Sequence, residues 1–211
     1  MKKNILKAIK KIRNILDFYF KNQFLIKDRF FLIKFDYSSR IRNCSFRIKG
    51  NNNQIVIGNN CNFSGLCILI EGNNCQISFG NNVIVNASKV QPTVINAIGA
   101  NITIGNNCLF SNSIEIHTSD YHGIYDQKGQ RINYEKDIVI ENHVWVGLGC
   151  TILKGARISS NSVVGAKTLI SKKFTEENVV IAGSPATIIK HNITWDIHRN
   201  DCLNLSEKTN D

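Results

Sequence analysis

The chain has two prolines, one methionine and no apolar run that approaches the length of a membrane span. A transmembrane helix needs about 20 consecutive apolar residues, so none is expected. The start Met1-Lys2-Lys3-Asn4 is basic, but no uninterrupted apolar stretch follows it to act as a signal peptide. With 14 glycines in 211 residues, the chain is not low-complexity. Cysteine is present in an odd number, seven, and Cys108 and Cys150 fall in small inward positions of the repeat described below. They read as reduced core residues of a cytosolic protein, not as a disulfide framework. Glutamate is absent from residues 1–49, which hold 14 Lys/Arg against three Asp, a charge of +11. The remainder holds 12 Lys/Arg against 13 Asp/Glu. The basicity of the chain therefore belongs to its N-terminal segment. Such charge permits nucleic acid as a partner, but no nucleic-acid motif accompanies it and none is expected. No histidine precedes His117. The length suits one domain with an appendage, and 43% hydrophobic residues suffice for a core.

What is there is a stride of six. Ile140, Val146, Ile152, Ile158, Val164 and Ile170 are all aliphatic. Four residues after each come Val144, Cys150, Ala156, Ser162, Thr168 and Phe174, mostly small. A helix needs an apolar stride of 3.6 and a half-buried strand a stride of two. Six fits a parallel β-helix in which each hexad is a short strand plus a corner, with three hexads to a coil. Gly147, Asn161 and Gly165 sit where the backbone must bend.

A looser repeat precedes the hexads. Ile48-Lys49-Gly50-Asn51-Asn52 matches Ile70-Glu71-Gly72-Asn73-Asn74, 22 residues on. Ile55-Val56-Ile57-Gly58-Asn59-Asn60-Cys61 matches the segment from Ile77 at the same offset, and Ile102 to Cys108 repeats it 25 residues later. These read as early coils with a few inserted residues, scaffold without chemistry. Residues 2–22 read as an amphipathic helix, with Ile5, Ile9, Ile12, Leu16 and Tyr19 at helical spacing and lysines elsewhere. It would cap one end of the β-helix, or lie on an anionic membrane surface, or guide an anionic glycan. The lane Ile104, Phe110, Ile116 stops at residues 118–137, which carry no hexad pattern, and the ladder resumes at Ile138. A loop of that length inside a regular coil is usually functional. The division expected is a basic helical segment over 1–40, the β-helix over 41–190 and a tail over 191–211, frayed beyond 200.

Val144-Trp145-Val146-Gly147, Val164-Gly165-Ala166 and Ala182-Gly183-Ser184-Pro185-Ala186 resemble the C-terminal half of the hexapeptide-repeat acyltransferases. The likeness is to the sugar O-acetyltransferases of capsules and lipopolysaccharide, maltose- and galactoside-acetyltransferases included, and runs from about Ile95 to Lys190. It implies an all-β, left-handed parallel β-helix with an N-terminal amphipathic helical segment and a short tail. It implies a homotrimer in the cytoplasm, acetyl-CoA as co-substrate, no metal, and a sugar or polysaccharide acceptor.

The resemblance also assigns residues. His122 in the excursion loop stands where the family carries its catalytic base, with Gly123 in place of the usual Pro. Asp120 would orient the imidazole or contact the acceptor; Asn96 and Trp145 would lie near the acceptor and the reacting centre. Gly147 and Leu148 match the place where a backbone N–H faces the thioester. Ala166 matches a small residue beside the pantetheine arm. Ser171, Lys172 and Lys190 match residues at the nucleotide end, while Thr187 replaces a basic one. The pair His117 and His122 is similar to one in γ-class carbonic anhydrases of the same fold, but those need a third histidine on an earlier coil. His143, beside Trp145, reads as structural. Rival readings are N-acetylation of an amino sugar and a non-catalytic glycan-binding solenoid. The loop histidine and the Gly-Ser-Pro-Ala turn favour the enzyme, since a scaffold needs neither.

Overall fold

Three parallel sheets form the sides of a prism, and the chain visits them in rotation. The computed structural model describes residues 2–197; Met1 and residues 198–211, the latter including the segment for which fraying was expected, lie outside the described residues. The winding makes seven coils of a left-handed parallel β-helix. Sheet A begins with Gln23–Asp28 and ends with Leu169–Ile170. Sheet B runs from Leu32–Phe35 to Lys173–Phe174, and sheet C from Arg40–Arg42 to Val180–Gly183. A final strand, Ala186–Lys190, turns back antiparallel on sheet C.

The hexads fold as their stride requires. Ile140, Val146, Ile152, Ile158, Val164 and Ile170 are all completely buried. Val144, Cys150, Ala156, Ser162, Thr168 and Phe174 lie inside with them. Identical strand positions stack into lanes. In sheet A one lane is Phe24, Phe46, Ile68, Ile95, Ile116, Ile152 and Ile170. Each fully buried aliphatic contributes about 1.5–3 kcal/mol relative to exposure. The 22-residue offset is the true coil length early on, since Ile48 pairs with Ile70 and Ile55 with Ile77. Ile77 pairs with Ile102, and Ile102 pairs with Ile138 across the excursion. Of the six described cysteines, all free, five are buried and Cys67 is half-buried.

The ladder begins earlier than the expected boundary at 41. Residues 23–42 already make a full coil, with Gln23 paired to Ser45, Leu32 to Gln54 and Arg40 to Asn62. These strands lack the Gly-Asn-Asn corner that marks the next coils. The helix, Lys2–Phe20, closes this first coil. Phe18 packs against the inward-facing Phe24, Phe35 and Phe46, with ring centroids 5.2, 4.4 and 5.9 Å away. Asn14 Nδ2 donates to Tyr37 O at 3.1 Å. The cap is thus made by Asn14, Asp17 and Phe18, which are buried, and not by the apolar stripe. Ile9, Ile12, Leu16 and Tyr19 are 50–64% exposed.

Candidate active site

The excursion leaves sheet A after Glu115–His117 and rejoins the ladder in sheet B at Ile138–Ile140, so it overhangs the A/B edge of the prism. Asn133, 9% exposed, organises it. Its Nδ2 donates to His122 O and to Asp120 Oδ2, both at 2.8 Å, and its Oδ1 accepts Ile124 N–H at 2.7 Å. His122 N–H donates to Asp120 O at 2.8 Å. The His122 backbone is therefore held at both ends while its side chain stands exposed. A side chain so placed can reach a bound hydroxyl, which is the geometry a general base requires.

Asp120 does not orient that ring. Its Oδ2 accepts from Lys154 Nζ and from Asn133. The Lys154 hydrogen bond, then that of Asn133, hold the Asp120 carboxyl below the usual carboxylate range. Its role is to tie the loop to the coil beneath, because Lys154 also donates to Asn133 O at 2.9 Å. Asn96 lies under the loop in sheet A, 7% exposed. Its Nδ2 donates to Tyr121 Oη at 2.6 Å and meets His117 Nδ1 at 3.1 Å. Asn96 and His117 thus prop the residue before His122. Asn96 Oδ1 is buried with no hydrogen-bond partner among the described residues.

The donor-side residues are spread over two edges of the prism and sheet C. Trp145 is on sheet C, 39% exposed. Gly147 and Leu148 form the edge between sheets C and A, and Ala166 sits at the same edge one coil on. A Cβ on Gly147 would meet Val164 O at 2.8 Å and Ala166 N at 2.9 Å, so only glycine lets the coils close here. Gly147 N–H already donates to Val164 O at 2.8 Å. The neighbouring Leu148 N–H has no acceptor among the described residues, nor has Ala166 N–H one coil on, so this edge presents two backbone donors that a bound group can use. Ser171 and Lys172 lie at the A/B edge, in a groove of about 760 Å³ shared with Lys136, Arg157 and Lys173. Lys190 is on the antiparallel strand of sheet C.

One residue escaped the sequence. Trp195, read only as part of the polar tail, folds back over sheet C. It stacks on His143 at 4.3 Å, approaches Trp145 at 6.0 Å, and donates Nε1–H to His143 O at 3.0 Å. Only its aromaticity could have flagged it. His143 itself is a corner, with φ 55° and Nδ1 3.0 Å from Asn161 Oδ1.

Within one chain, then, His122 and Trp145 occupy different sides of the prism. No family model matches the chain. A polysialic acid O-acetyltransferase of Neisseria meningitidis is 40% identical over 164 residues, 69% of this chain and 76% of that protein. The chain belongs to the hexapeptide-repeat O-acetyltransferases. A galactoside O-acetyltransferase of Lactococcus lactis is 36% identical over 41% of this chain and 42% of its own length. Among solved structures, the polysialic acid O-acetyltransferase OatWY matches with TM-score 0.61 and 32% identity, covering 88% of this chain and 96% of that one. The polysialic-acid-specific acetyltransferase NeuO matches with TM-score 0.62 and 27% identity, covering 84% and 91%. As a member of this family the protein is an O-acetyltransferase acting on sugars.

Proposed function

We propose that the protein transfers an acetyl group from acetyl-CoA to a hydroxyl of an acidic surface glycan or its precursor, in the cytoplasm, at sites shared between subunits of a homotrimer. The glycan reading draws on the polysialic acid named for two relatives. The observation that carries the mechanism is the clamped, exposed His122 on the one long interruption of the ladder.

The shared site follows from the separation just described. The A/B edge bears His122 and the C/A edge bears Leu148 and Ala166. A three-fold ring brings the A/B edge of each prism against the C/A edge of the next, so three identical contacts make three sites. Acetyl-CoA supplies the acyl group as a thioester. Ala166, small and exposed, leaves room beside its arm, and Ser171 and Lys172 suit its phosphates. His122 takes the proton as the acceptor oxygen attacks the carbonyl carbon; Leu148 N–H stabilises the developing oxyanion; the C–S bond breaks and the thiolate leaves to be protonated. Trp145 and Trp195 form an aromatic wall on sheet C.

Mixed trimers test this. His122→Ala and Ala166→Trp should each keep fold and mass and lose turnover, measured as thiol release with oligosialic acid. Co-assembled, they should regain about a quarter of parental activity, because each mixed ring contains one intact pairing. Recovery of nothing would overturn the shared site; near-normal turnover by folded His122→Ala would overturn the mechanism.

A further inference from the structure

The N-terminal helix turns its apolar stripe away from the protein. Leu6, Ile9, Ile12, Leu16, Tyr19 and Phe20 are 50–81% exposed, although an amphipathic helix that caps a coil would normally bury that stripe. The first coil adds Leu25, Phe30, Phe31 and Leu32, 42–63% exposed. An apolar surface of this extent on one end of a protein marks an interaction site.

Its charge says what kind. Lys10, Lys11, Arg13, Lys27 and Arg29 are exposed, and no salt bridge among the described residues engages them. The three acids of the same segment are occupied internally. Asp17 pairs with Lys21 at 2.7 Å, Asp28 accepts hydrogen bonds from Phe30, Asn52 and Asn53, and Asp36 accepts from Ser38 N–H. Leu6 and Ile9 line a shallow apolar groove with Lys10 and Arg13, so both chemistries meet on one face. A soluble polyanion would use the cations and leave the stripe in water. A second copy would bring cations against cations. The helix also closes the end of the prism through Phe18, so prisms packed side by side leave it open.

We infer that this end of the molecule docks on an anionic lipid surface, the apolar stripe entering the headgroup boundary and the lysines and arginines pairing with acidic headgroups. No helix of the described residues is long and apolar enough to cross a membrane, so the contact is peripheral. Docking would hold the acetylation sites near a membrane-bound acceptor.

The test is flotation of the full chain with vesicles of phosphatidylcholine alone or with about 30% phosphatidylglycerol. The parent should bind only the anionic vesicles and should weaken at least about tenfold at high salt. The triple variant Ile9→Gln, Ile12→Gln, Leu16→Gln should weaken binding about tenfold or more, with parental mass by light scattering and parental turnover of a soluble acceptor. Vesicle binding equal to the parent's would overturn the inference. So would a loss of mass in the variant, which would identify the face as an interface between copies. The readout needs no turnover, so it fails or succeeds separately from the proposed chemistry.

Discussion

The A/B and B/C edges of the prism turn their corners with different chemistry from the C/A edge. On the first two edges, side-chain amides stack from coil to coil: Asn52 donates to Asn74 at 2.8 Å and Asn82 to Asn107 at 2.9 Å. The same ladders consume backbone donors, since Asn59 N–H and Asn81 N–H each bond an asparagine Oδ1 at 2.8 Å. The left-handed φ of Asn52, Asn74, Asn82 and Asn107 is the conformation asparagine tolerates best after glycine. The C/A edge at the site is Gly147-Leu148-Gly149 stacked under Gly165-Ala166-Lys167, with no amide ladder. A corner that satisfies its own N–H groups is inert scaffold. A corner that leaves Leu148 N–H open, between glycines that forbid bulk, can receive a carbonyl.

The contrast should split cleanly by mutation. Phe46→Ala in the scaffold removes a fully buried ring that stacks on Phe24 at 5.2 Å. It should cost about 3–5 kcal/mol of stability by urea unfolding. His122→Ala should cost nothing measurable in that experiment, yet lower turnover by about 10²–10⁴. A variant that moved both readouts equally would erase the distinction.

Asp120→Asn should act between these extremes. It weakens the Lys154 anchor without touching the His122 ring, so turnover should fall about tenfold through looser positioning. Lys154→Ala should cost somewhat more, because it also removes the hydrogen bond to Asn133 O, and the loss in the double variant should fall well short of the sum of the two losses, because both remove the same ion pair. Additive losses would give Asp120 a second role. Smaller still, Asn106→Ala removes the acceptor of Asn81 N–H and should cost about 1 kcal/mol of stability. Leu148→Ala, at an exposed site-side corner, should cost nothing measurable in stability.

The period made most of this readable from sequence. A stride of six fixes which side chains face inward, and repeats at 22 and 25 residues fix which coils stack. The excursion at 118–137 was visible because it breaks that stride. Three things were hidden. The first coil turns through residues 29–31 and 36–39 in place of Gly-Asn-Asn corners, so it read as part of the helical segment. The helix buries Asn14 and Phe18, which no apolar periodicity selects, because the contact is a plug into an open prism end and not a face-to-face packing. Asp120 precedes His122 by two residues, and proximity in sequence suggested a ring contact that Lys154, from the next coil, takes instead. The family resemblance supplied the site residues, but no motif says that two of them lie on different edges. That needed the strand order.

The slightest expected effect concerns a carboxylate that belongs wholly to the scaffold. Asp28, 9% exposed, stands at the end of the first strand and accepts four hydrogen bonds. Burial pushes its pKa up, but the bonds from Phe30, Asn53 and Asn52 outweigh burial and hold it below the usual carboxylate range. A carboxyl depressed in the folded state lends stability that is present above its unfolded pKa and is lost as pH falls through the folded one. The Asp28 contribution should thus be complete at neutral pH and fall away as pH drops below the ordinary carboxylate range and through the lower folded-state pKa. Asp28→Asn replaces one acceptor oxygen with a donor facing the N–H groups of Asn53, which should lower the urea midpoint at pH 7. As pH falls through the folded-state pKa of Asp28 the parent should lose its advantage, so the two midpoints converge. Asp120, Glu135 and Glu141 are also depressed, by partners in the excursion loop and the coils after it, and they titrate in both proteins. The difference between parent and variant therefore isolates Asp28, and parallel curves would show that the bonds at this corner do not favour its charged form.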